Sequence, residues 1–152
     1  MKQCTLWIIV QNWKILLGMK KVRFWAGKWN GPGGKVDVWE TIEECMQRET
    51  FEEFGISINT QTMKKVWVFD WINKANQDQN HIVNIFMITD FTGTPVESEE
   101  MKPEWFDIDK IPYHEMWEDD KIWLPRVLNG EYIEYEFIYG LDGKIESLTL
   151  KK

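Results

Sequence analysis

The stretch Gly34–Ile56, GKVDVWETIEECMQRETFEEFGI, carries six glutamates and one arginine in 23 residues. It also carries the signals of a helix: Thr41, with Glu44 three residues on, forms a capping box, and Gly55 stands where a helix ends in a left-handed residue. On that helix Glu49, Glu52 and Glu53 fall at i, i+3 and i+4, so their side chains project from neighbouring positions on one face. Like charges so placed destabilise a helix. Ile42, Cys45 and Met46 supply apolar surface on another side for packing against a sheet. A solvated acidic face would mix in lysines, whereas this helix offers only Arg48, so the pattern calls for a bound cation. Oxygen ligands in this number, with no histidine or cysteine cluster beside them, favour Mg2+ or Mn2+ over zinc.

The rest of the chain bounds the setting. Its 152 residues, 43% of them hydrophobic, suffice for one domain over residues 1–152 with a real core. No apolar run approaches the roughly 20 residues that span a bilayer, and the first residues lack a secretory cleavage site, so a cytoplasmic protein without membrane contact is expected. Cys4 and Cys45 have no metal-ligand spacing and read as reduced packing thiols. A net charge of −7 argues against binding a nucleic-acid polymer. Lys14, Lys20, Lys21, Arg23, Lys28 and Lys35 nevertheless lie in a stretch free of acids just before the acidic block. A basic edge beside carboxylates suits a small anionic ligand held through a metal ion.

Outward from the helix, CTLWIIV and ILLGM flank the turn QNWK and predict an N-terminal hairpin. Strands are expected at roughly 63–71 and 81–91, joined by the polar loop NKANQDQN, and another near EWFDI. Asp119 or Asp120 can cap a second helix running toward Asn129-Gly130, with Pro125 inside it. The segments EYIEYEFIYG and KIESLTL around Leu141-Asp142-Gly143 predict a closing hairpin. The sum is a mixed β-sheet with helices, an α/β or α+β sandwich.

Gly34, Glu40, Arg48-Glu49, Glu52-Glu53 and Gly55-Ile56 match the spacing of the Nudix signature, and the chain resembles that hydrolase superfamily. Thr50 stands where the signature has a bulky aliphatic residue. The segments LLGMKK, AGKWNG, GGKV, GTPVESEEM, WFDIDKIP and MWEDD extend the resemblance to the MutT-homologue branch, whose members are diphosphatases of oxidised purine nucleoside triphosphates such as 8-oxo-dGTP. The fold so implied is a mixed sheet between helices.

The resemblance implies that Glu49 and Glu53 bind Mg2+ with the Gly33 carbonyl, that Glu52 is a further ligand or base, that Glu100 adds a carboxylate from a loop, and that Arg48 orients a glutamate. It implies a monomer in which Trp117 stacks on the purine, Asn30, Asp119 and Asp120 bond its edges, and Thr5, Leu6, Lys20, Phe24, Phe69 and Trp71 line the cavity. Two adjacent carboxyls near an apolar wall disfavour double ionisation, so one can donate while the other accepts. Val22-Arg23, Trp25, Val38-Trp39 and a longer loop at 73–79 depart from the branch pattern. Two other readings compete with the first: the same reaction on methylated or canonical dNTPs, or a divergent nucleotide-binding module with low turnover. The intact acids weigh against the latter.

Overall fold

The computed structural model describes residues 2–22, 26–132 and 134–150; Arg23, Phe24 and Trp25, on which three expectations fell, lie outside them. In chain order the described elements are β1 (Lys2–Gln11), β2 (Lys14–Lys20), β3 (Trp29–Asn30), β4 (Gly33–Lys35), α1 (Ile42–Phe54), β5 (Ser57–Ile58) and β6 (Lys64–Asn73). They continue with β7 (His81–Ile88), β8 (Phe91–Thr92), β9 (Met101–Asp107), α2 (Asp120–Leu128), β10 (Glu134–Tyr139) and β11 (Ile145–Leu150). The expected hairpins, both helices and the mixed sheet are all present.

The main sheet runs β11-β10-β6-β7-β1-β2-β3, with β4 paired to β1 and β9 to β2. Parallel pairing joins β1 to β7 and β6 to β10, and the other ladders of this sheet are antiparallel. Period-two alternation sends successive side chains to opposite faces, and the central strands β1, β2 and β7 bury residues on both. On one face Trp7, Ile9, Leu16, Phe86 and Ile88 pack with Met46 and Phe54 of α1. On the other, Ile8, Ile15, Leu17, Phe69, Val83 and Ile85 pack with Trp123, Leu124 and Val127 of α2. The helices therefore cover opposite faces. Among the described residues no helix is long and apolar enough to cross a membrane.

Local chemistry explains the boundaries of α1. The Thr41 hydroxyl accepts from the Glu44 N–H at 3.1 Å. At the other end Gly55, with φ of 70°, donates its N–H to the Phe51 carbonyl at 2.9 Å. Thr50 is fully buried, and its hydroxyl donates to the Met46 carbonyl, so the polar atom is satisfied within the helix. The loop after β6 contains a short 3-10 turn, Gln77–Gln79, tied down by Asn73: its N–H donates to Asn80 Oδ1 at 2.7 Å and its Nδ2 to Gln79 Oε1 at 2.9 Å.

The Thr41 cap is local and exposed, so its loss should leave the fold intact. Thr41→Ala is expected to lower unfolding free energy by about 1 kcal/mol, read from the denaturant midpoint at unchanged slope.

Candidate active site

The acidic stretch acquires its geometry from α1 and the two glycines that face it. Glu53 is fully buried. Its Oε1 accepts from the Gly33 N–H at 3.0 Å and its Oε2 from Lys20 Nζ at 3.3 Å. Burial pushes Glu53 up to about 7, with the charge of Glu49 adding to the rise and Lys20 and the Gly33 N–H opposing it. Glu49 is likewise raised, first by burial and then by Glu52 and Glu100, against the pull of Arg48. Its carboxylate lies so close to Gly34 that a Cβ there would sit 2.4 Å from Oε1. A Cβ on Gly33 would meet the Thr5 carbonyl at 2.3 Å. These two glycines let β4 approach both β1 and the acids.

Arg48 holds the cluster together. Its Nε and Nη2 grip Glu40 as a fork, at 3.0 Å to Oε2 and 2.6 Å to Oε1. Nη1 donates to Glu49 at 2.9 Å and lies 3.5 Å from Glu52. Consecutive residues on a helix point about 100° apart, so with Glu53 inward Glu52 faces out, its side chain 50% exposed and off the cavity wall. Glu100, in the loop before β9, reaches Lys20 Nζ at 3.7 Å.

A cavity of about 490 Å3 joins this cluster to an aromatic and acidic wall. Lys20, Gly33, Glu49, Glu53 and Glu100 line it together with Thr5, Leu6, Asn30, Phe69, Trp71, Trp117, Asp119 and Asp120. Thr5 has its hydroxyl bonded to the Gly34 carbonyl at 3.4 Å. Asn30 uses Oδ1 to accept from the Gly31 N–H at 2.9 Å, which leaves its amide nitrogen as the group to offer. Trp117 meets Trp71 edge-on at 5.7 Å, and Lys28 Nζ lies 5.2 Å from its ring centre. Of the described residues of the expected basic edge, Lys20 and Lys35 line the cavity and Lys20 enters the acid cluster, while Lys14 pairs with Asp107 and Lys21 with Glu97.

Asp119 corrects the capping expectation. It occupies the N-cap position of α2 but makes no side-chain cap bond, because Trp123 Nε1 donates to its Oδ2 at 2.9 Å and the Tyr139 hydroxyl to its Oδ1. Asp120 is buried beside it. Its Oδ2 has no hydrogen-bond partner among the described residues. Burial, then the Asp119 charge, pushes the Asp120 carboxyl well above the usual range. Sequence reading did not find Tyr139, Trp123 or His81. Alternation along β10 would have placed Tyr139 inward with Tyr135 and Phe137, Trp123 lies one helical turn from Asp119, and the β6–β7 register sets His81 opposite Trp71, on which its ring stacks at 5.2 Å. Cys4 and Cys45 are free thiols that burial raises to about 11 and about 12, as packing residues should be.

The donor set at the acid cluster is oxygen, and a cation already lies within it, since the Lys20 ammonium sits between Glu53 and Glu100. Among the described residues no three acidic, histidine or cysteine side chains converge on a preformed metal position. The chemistry of the site thus fits a hard cation that would replace Lys20 as the counter-charge.

A helix that buries glutamates behind a glycine-lined strand, facing a cavity with a polar aromatic wall, is the arrangement of a hydrolase for phosphorylated small molecules. The chain belongs to the Nudix family: the NUDIX domain model matches residues 1–127. Nudix hydrolases generally use divalent metal ions. The chain is 43% identical to the oxidized purine nucleoside triphosphate hydrolase of Danio rerio over 146 residues, covering 95% of this chain and 92% of that one. It is 44% identical to the protein of the same name from Mus musculus over 148 residues, 97% and 93% of the two chains. Among solved structures, the MutT protein of Bacillus halodurans matches with a TM-score of 0.84 and 26% identity over 99% of this chain and 98% of that one. A MutT Nudix hydrolase from Burkholderia pseudomallei matches with a TM-score of 0.65 and 32% identity over 73% and 86%.

The Arg48 fork holds Glu40 down at about 2, from an ordinary value of 4.5. A depressed folded value means that the pair's contribution to stability is complete above about 4.5 and is lost as pH falls through about 2. Native protein and Glu40→Gln should differ in unfolding free energy above that window and converge below it. A constant difference across it would remove the pairing from the account.

Proposed function

We propose that this Nudix hydrolase cleaves oxidised purine (deoxy)nucleoside triphosphates such as 8-oxo-dGTP to the nucleoside monophosphate and pyrophosphate, with Mg2+, or Mn2+ in its place, at the acid cluster. The observation that carries the reading is the buried Asp119–Asp120 pair, with one unpartnered carboxyl oxygen, in the same cavity as Glu49 and Glu53. A pocket that only held an apolar group would not keep such a pair buried. The names of the two vertebrate relatives support the same substrate class.

In this reading Glu49 and Glu53, with the Gly33 carbonyl and Glu100, hold the cation. When bound it screens the triphosphate charge and makes water a better nucleophile toward phosphorus. Arg48 fixes the Glu49 carboxylate by its bond at 2.9 Å, and Glu52, outside the cavity wall, is the base candidate nearest solvent. Water adds at one phosphorus of the α–β phosphoanhydride, its proton passes to a carboxylate of the acid cluster, and the bridging P–O bond breaks to release the nucleoside monophosphate and pyrophosphate. Trp117 stacks on the base, Asp119 and Asp120 read its edge, and Asn30 offers its amide group. Leu6, Phe69 and Trp71 exclude water around the ring, with Thr5 and Lys20 at the polar side; Phe24 belongs to this set by resemblance alone.

The net charge of −7 and a cavity of about 490 Å3 support a small nucleotide as the partner in preference to a nucleic-acid polymer. We read residues 1–152 as one domain, since one sheet takes strands from both ends of the described chain, and as a cytoplasmic monomer.

Pyrophosphate release across oxidised, methylated and normal dNTPs tests the reading. The oxidised purines are expected to give the highest kcat/KM, with turnover abolished by excess chelator and restored by Mg2+. Preference for a methylated or normal base would move the substrate, and full activity in chelator would remove the cation. Glu53→Gln, which keeps volume but removes charge, is expected to fold and to lose activity by roughly a hundredfold or more. Near-normal release by the folded variant would detach α1 from the chemistry.

A further inference from the structure

Strand β3 follows directly on a lysine that the phosphate chemistry does not use. Lys28 is half-buried and is not among the described residues that line the cavity. Its ammonium lies over the indole of Trp117, with Nζ 5.2 Å from the ring centre, inside the distance of about 6 Å at which a cation is attracted to a π face. Trp117 itself lines the cavity. The ammonium therefore covers the face of the indole turned away from it.

Both partners of this contact are tied down. The Lys28 carbonyl accepts from the Lys20 N–H at 3.2 Å, and Trp29 Nε1 donates to Glu115 Oε2 at 3.2 Å, two residues before Trp117. Trp117 meets Trp71 and Tyr139 at near right angles, with ring centres 5.7 Å and 5.9 Å away. The indole is held among fixed groups, and its cavity face is the surface offered to a base.

An indole face is negative, because the π system concentrates electron density above the ring. That charge opposes face-to-face contact with another electron-rich ring. An oxo group at C8 makes a purine more electron-rich, which is why the oxidised base is itself more readily oxidised than its parent. A cation on the outer face draws π density outward and makes the inner face less negative. We propose that Lys28 is a positioning residue that acts through Trp117, and that its charge biases the cavity toward purines oxidised at C8 over the normal base. The proposal rests on the nucleotide reading given above.

Lys28 also bears on Asp120, whose raised carboxyl its charge pulls down. The test therefore compares 8-oxo-dGTP with dGTP, which present the same groups at positions 1, 2 and 6, so that an effect routed through Asp120 cancels in the ratio. Native protein is expected to favour 8-oxo-dGTP in kcat/KM. Lys28→Met, which keeps the stem and removes the charge, should lower that preference about threefold, and Lys28→Arg should retain it. A merely structural loss would lower both substrates together. An unchanged ratio in an active Lys28→Met, or a fall that Lys28→Arg shares, would overturn the proposal and leave the nucleotide reading standing. Hydrolysis of neither compound by native protein would overturn both. Proton NMR of the native chain needs no variant: the Cε protons of Lys28 should be shifted upfield by the Trp117 ring and should stay so in excess 8-oxo-dGMP. Absence of that shift, or its loss when the nucleotide is added, would put the ammonium elsewhere than on the outer face and overturn the proposal.

Discussion

The structure depends on keeping mutually repelling carboxylates together at the edge of the core. Glu53 is fully buried, and an isolated charge there would be costly. Arg48 and Lys20 offset that cost from opposite sides: one grips Glu40 and reaches Glu49, the other inserts an ammonium between Glu53 and Glu100. The backbone adds the Gly33 N–H. Much of the neighbourhood follows from this constraint. Gly34 has no Cβ because Glu49 occupies its place, and β4 lies against β1 because Gly33 permits the contact. An acid cluster so neutralised by flexible or exchangeable cations is prepared to take a divalent ion when a polyphosphate brings further negative charge.

A second constraint is that residues near α1 and residues near α2 line one cavity, although the two helices lie on opposite faces of the sheet. Strand β1 makes this possible. It pairs with β4 on one side and β7 on the other, so Thr5 and Leu6 stand between the acid cluster and the aromatic wall. Trp71 comes from β6 and Tyr139 from β10, which are themselves paired in parallel. That wall combines rings carried by strands, Trp71 and Tyr139, with Trp117 from the turn before α2, packed edge-on against both.

Local features of the sequence were legible. The Thr41 cap, the Gly55 terminus and the spacing of Glu49 and Glu53 all depend on residues within a few positions of one another. The inward turn of Glu53 and the outward turn of Glu52 could not be read from spacing, since both satisfy it; packing of Met46 and Phe54 on the sheet decides which way the helix faces. Asp119 looked like a cap because a cap is the local use of such a residue, and the competing donors came from a helical turn later and from a strand 20 residues away. His81 depended on strand register, which no local pattern sets. Lys20 was expected along the cavity wall; its place between two glutamates arises from the long-range pairing of β2 with β9 and the approach of α1.

One cavity holds both the acids proposed to bind the cation and the aspartates proposed to read the base. A crystal structure of the chain with Mg2+ and a non-hydrolysable 8-oxo-dGTP analogue tests it most directly. The cation should lie on Glu49 and Glu53 with Lys20 displaced from between Glu53 and Glu100, and the purine should stack on Trp117 with its edge toward Asp119 and Asp120. A cation bound away from α1, or a base seated outside the Trp71–Trp117 wall, would contradict the account.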